Sequence, residues 1–104
     1  MARPRIDVQR QLESAMTLAG YTPRVYFQPP TNMTYPCIVY NREGFNTRYA
    51  DDHIYKDMTK YTVTVMDFDP ESPLVDILRA IQYCEMDREF TLDNLHHFVF
   101  TYFY

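Results

Sequence analysis

Few residues in this chain have the types and spacing that chemistry requires. Asp67 and Asp69 stand at i, i+2 where a strand pattern ends, so both carboxylates could project from one face. Two carboxylates on one face can hold Mg²⁺ in a nuclease. That chemistry also wants a lysine or a third acid nearby, and the next residues are Pro70, Glu71, Ser72 and Pro73. The plainer role for the pair is to lie near the positive end of the helix that follows. His96 and His97 are adjacent, and adjacent strand residues point to opposite faces. A zinc site wants i, i+2 on a strand or i, i+4 on a helix, with further ligands. His53 beside Asp51 and Asp52 could complete a site, but no local spacing demands one. No metal and no cofactor are expected.

Cys37 falls inside a strand pattern and Cys84 at a helix end, neither beside an obvious base. A catalytic thiol usually sits at a helix N-terminus or near a cation. Two cysteines do not make a disulfide framework, and the start Met1-Ala2-Arg3-Pro4-Arg5 turns polar at once, unlike a secretory signal. Two reduced, mostly buried thiols in a cytosolic setting are the expectation. With Gly20 and Gly44 the only glycines, a Gly-rich phosphate loop is excluded. No catalytic residues are expected, and the chain reads as a non-enzyme.

Something must position these residues, and 104 residues suffice for one domain, 1–104. Such a chain buries roughly two-thirds of its unfolded surface. No apolar run is long enough to span a membrane. The net charge of −4, with only Lys56 and Lys60 as lysines, disfavours a protein that wraps nucleic acid. Ten tyrosines and seven phenylalanines stand out. Tyrosine suits the half-buried face of a small sheet and suits a surface covered in an assembly, and the count leaves both open.

Residues 6–19 read as an amphipathic helix, with Val8, Leu12, Ala15, Met16 and Ala19 on one face, Asp7 as N-cap and Gly20 as the stop. Val25-Tyr26-Phe27 is a short strand closed by Pro29 and Pro30. A second strand runs from Cys37 to about Arg42, with a bend or bulge at Gly44. Residues 58–67 alternate, Tyr61, Val63 and Val65 against Thr62, Thr64 and Met66. Ser72 and Pro73 then open a helix carrying Leu74, Ile77, Leu78 and Ile81, which should end near Tyr83 or Cys84. Two closing strands, 86–92 and 95–104, turn at Asp93-Asn94. The last strand is apolar on both faces, so it is central or meets another subunit. The order α-β-β-β-α-β-β gives an α+β class: a small antiparallel sheet with two flanking helices.

The segments Tyr35-Pro36-Cys37-Ile38-Val39-Tyr40-Asn41-Arg42 and Asp93-Asn94-Leu95-His96-His97-Phe98-Val99-Phe100-Thr101 resemble the small neck and tail-completion proteins of long-tailed bacteriophages. The strand from Tyr61 to Asp69 before a Pro-started helix, and the stretch Tyr49-Ala50-Asp51-Asp52, are similar too. The likeness covers the chain from about residue 25 onward, and within the group it is nearest to the tail terminator. It implies a homo-oligomeric ring, commonly a hexamer, in the virion neck after assembly in the host cytoplasm. Its partners would be the tail tube protein and the head–tail connector or stopper protein. Genome DNA would pass through the lumen without specific binding, and no membrane would be involved. A head-side stopper or adaptor is the alternative within the group. The alternatives outside it are a small metal-dependent nuclease and a host adaptor that binds a peptide on an exposed strand.

Contacts with subunits or partners are expected at Phe45, Arg48, Tyr49, Asp51, Asp52, Tyr55, His97 and Tyr102. The stretch 44–57 lacks an apolar period yet carries several aromatics, so it is expected to order only on assembly.

Overall fold

The computed structural model describes residues 5–28, 32–45 and 58–104. Two helices and five strands follow the expected order: α1 (Arg5–Leu18), β1 (Val25–Phe27), β2 (Cys37–Phe45), β3 (Thr59–Asp67), α2 (Pro73–Arg79), β4 (Cys84–Leu92) and β5 (Leu95–Phe103). They form one sheet in the order β1-β2-β3-β5-β4. The sheet is mixed: β1 runs parallel to β2, and every other neighbouring pair is antiparallel. The expected antiparallel sheet is therefore corrected at one edge. The nine residues 28–36 that separate the two strands in sequence are too many for a two-residue hairpin, so nothing local imposes antiparallel pairing.

α1 begins at Arg5, so Asp7 lies in the first turn instead of capping it, still at the favourable end of the helix dipole. At the other end Gly20 takes φ +89°, its N–H meets the Thr17 carbonyl and the Tyr21 N–H meets the Met16 carbonyl. This pairing satisfies the last carbonyls of the helix. α2 opens as expected: Ser72 accepts from the Leu74 N–H at 3.3 Å, and Pro73 takes the first helical position. It stops at Arg79, short of Tyr83. The chain there tightens into a three-residue turn, Ile81 N–H to Leu78 carbonyl, and Tyr83 adopts φ +65°. β4 accordingly starts at Cys84.

β2 runs past Arg42 to Phe45, because its pairing with β3 resumes after a register shift between Arg42 and Gly44. The bend expected at Gly44 is this bulge. Asp93 and Asn94 both have positive φ, 54° and 63°, the signature of a two-residue hairpin turn.

Both helices lie on one face of the sheet. Val8, Leu12, Ala15 and Met16 of α1 and Leu74 and Leu78 of α2 pack with Ile38, Tyr40, Val63, Val65, Phe98 and Phe100. The burial of β3 alternates strictly, with Tyr61, Val63 and Val65 inside. Cys37, Val39 and Val99 are buried outside that cluster, on the face that carries neither helix.

Candidate assembly surfaces

The carboxylates of Asp67 and Asp69 do not converge. Asp67 is buried, accepting from the Tyr21 hydroxyl at 2.7 Å and from the Asp69 N–H at 3.1 Å. Asp69 is exposed and accepts from the Glu71 N–H at 2.9 Å. Their work is to fix the β3–α2 junction and tie Tyr21 to it. Burial, then the Asp67 carboxylate, raises the pKa of the Tyr21 hydroxyl above its ordinary value.

His96 and His97 separate as their spacing predicts. His96 lies 3.0 Å from the Thr91 hydroxyl. His97 stacks on Phe90, with centroids 4.6 Å apart and planes at 11°, and its Nδ1 donates to the Leu95 carbonyl at 3.1 Å. Among the described residues no group of three metal-ligating side chains forms. His53, with Asp51 and Asp52, lies outside the described residues. Both thiols are buried: burial raises Cys37 to about 11 and Cys84 to about 12, so each remains protonated at neutral pH.

On the helix side, tyrosine hydroxyls join sheet to helix. Tyr40 is fully buried, donates to Gln9 at 2.9 Å and accepts from Arg5 at 2.7 Å. Its own burial raises its pKa, and the Arg5 charge opposes that shift. The Arg5 guanidinium also lies over the Phe27 ring, 4.5 Å from its centroid. Tyr102 donates to Gln11, and Tyr104 to Asp7 at 3.4 Å. Tyr102, expected at a subunit contact, lies inside the single chain. It is 3 % exposed, because it alternates with Phe98 and Phe100 on the face under α1.

His97 lies on the helix-free face, opposite Phe98, half-buried beside Met66 and Phe90. Around it are side chains whose exposure the sequence did not announce: Phe90 at 44 %, Leu92 at 59 % and Phe68 at 58 %. Phe68 packs edge-on against Tyr35, with centroids 6.0 Å apart. The alternation Glu89-Phe90-Thr91-Leu92 was the available signal. What it lacked was the position of β4 at the sheet edge, which is a property of topology. A second apolar feature is an open groove of about 460 Å³ between α1 and α2, lined by Ala15, Leu18, Ile77 and Ile81.

Of the other expected contacts, Phe45 is the last described residue of β2, paired through its backbone with Thr59. Arg48, Tyr49, Asp51, Asp52 and Tyr55 lie outside the described residues, as does the expected ordering of that stretch on assembly. No helix of the described residues is long and apolar enough to cross a membrane. No known family, characterised protein or solved structure matches the chain.

Proposed function

We propose that this chain is a structural subunit of a bacteriophage neck, the tail terminator, which assembles as a ring on the head-proximal end of the tail tube. The observation that carries the reading is the set of apolar side chains left exposed beside the helix-free face: Phe68, Phe90 and Leu92. Aromatic and aliphatic groups held open on a small folded domain suit burial in a partner. The resemblance of the two segments quoted above supplies the kind of assembly.

The mechanism is geometric. A ring whose one face fits the tube end, and whose other face does not reproduce that end, stops subunit addition. The other face is then free to receive the head connector. Neighbours in a ring meet head to tail, a contact that closes because the rotation closes. Copies of net charge −4 repel DNA phosphates, which lets the genome slide through.

Electron microscopy of a lysate from phage lacking this gene tests the reading. Filled heads beside separate tails, many of them overlong, are expected. Free tails of normal length beside empty heads would move the protein to the head side of the neck.

A further inference from the structure

Charge is divided between the two edges of the sheet. Residues 61–104 hold eight acids against two arginines, whereas residues 14–42 hold no acid at all and carry Arg24 and Arg42. The strand order puts β4, with Glu85, Asp87 and Glu89 against Arg88, at one edge and β1 at the other, while β3 and β5 lie between them. Among the described residues β1 pairs only with Ile38–Tyr40 of β2, so the exposed Arg42 lies on the same edge just beyond it, next to Glu43, which Lys60 pairs at 3.1 Å. Half-buried Arg24 stands immediately before β1.

The opposite edge carries an acidic notch. α2 packs on β4, and a notch of about 490 Å³ opens between them. Its rim carries the exposed carboxylates of Glu71, Asp76 and Glu89, with Arg79 beside them, and apolar atoms of Val75, Met86 and Phe98 form its lining. That combination suits an arginine, whose stem lies on apolar surface while its planar head meets carboxylates. One register of β4 self-pairing is also disfavoured by charge. A two-fold pairing centred on Asp87–Glu89 would set acid directly against acid.

We infer that copies of this chain meet edge to edge in one direction, the acidic α2–β4 edge of one receiving Arg24 and Arg42 from the β1–β2 edge of the next. The inference rests on the ring reading and names its contact. The complementarity is between two different surfaces, so each subunit offers one donor edge and one acceptor edge, as a closed ring requires. Like-charge self-contacts at either edge are disfavoured, which gives the association its direction.

The test uses the full-length protein, with mass measured by light scattering after size exclusion and folding checked by thermal melts. One double variant, Glu71→Lys with Glu89→Lys, reverses the acidic edge. The other, Arg24→Glu with Arg42→Glu, reverses the basic edge. Wild type is expected to assemble, and each variant to melt as a folded monomer with association weakened at least ~100-fold. An equimolar mixture of the two variants should assemble again, because every reversed edge then finds its complement. A wild-type ring that both variants reproduce, or a mixture that stays monomeric, overturns the edge assignment and leaves the ring reading standing. A wild type that stays monomeric at every concentration, or stops at a two-fold dimer, overturns both.

Discussion

Phe98, Phe100 and Tyr102 on one face of β5, and His97, Val99, Thr101 and Phe103 on the other, come from one strand and one alternation. Only the first set meets helices. There the apolar atoms are closed in, and the hydroxyls of Tyr40, Tyr102 and Tyr104 reach Gln9, Gln11 and Asp7 of α1. On the other face His97 and Thr101 are half-buried, and Phe90 on the neighbouring strand is 44 % exposed. The same residue chemistry is therefore closed in on one side and leaves apolar side chains open on the other. Tyrosine is the clearest case: the hydroxyl that could have been a wet interface group is, at Tyr40, a fully buried joint between sheet and helix.

The largest effect that would break this contrast is at Phe100, which is fully buried. Truncating a buried Phe costs about 3–5 kcal/mol, and a carboxylate in its place adds an unpaired buried charge. Phe100→Asp is expected to abolish folding, whereas Thr101→Ala, one residue away on the helix-free face, should shift stability by less than about 1 kcal/mol. Thermal melts of the two variants decide it. A soluble Phe100→Asp protein with an unchanged melting temperature would show that the faces are misassigned.

A smaller effect is expected at Tyr40→Phe. It keeps the ring and removes the hydroxyl that donates to Gln9 and accepts from Arg5. Losing these bonds should cost about 1–3 kcal/mol, measured by chemical denaturation. No loss would mean that water replaces the joint at no cost and that the helix side is held by apolar contact alone.

The smallest effect is pH-dependent. Cys37 at about 11 and Cys84 at about 12 lie above the ordinary thiol value of 9.0, and Tyr21 and Tyr40 are raised above 10.0. Each group holds its proton more tightly folded than unfolded. The stability they contribute is fully present below pH 9.0 and falls as the pH rises through the folded values. Denaturation midpoints should decline from about pH 9 upward, and a disulfide exchange reagent at pH 8 should label neither thiol until denaturant is added. Rapid labelling of native protein would contradict their burial.

Much of this fold was legible in the sequence because local chemistry marked it. Ser72-Pro73 opens α2, Gly20 closes α1, and Asp93-Asn94 turns the last hairpin, each by a backbone rule that needs no tertiary information. The alternation in 59–67 set the inside of β3 for the same reason. The parallel placement of β1 was not legible, since a three-residue strand has no signal for its neighbour. Nor was the early end of α2. Ile81 continues the apolar stripe and packs against the core from just outside the helix, so the apolar period extends into a turn bonded i to i+3, Ile81 N–H to Leu78 carbonyl. Which face of β5 would be covered was only partly legible: His97 lies on the face its neighbours dictate, whereas Tyr102 is buried under α1, since either face looked equally apolar until the helices chose one.

Negative-stain electron microscopy of the purified protein mixed with tail tubes tests the central claim most directly. The account predicts closed rings of this protein, alone and seated at one end of each tube, with tubes so capped no longer lengthening when tube subunits are added. Tubes that keep growing in its presence, with no ring at either end, would contradict it.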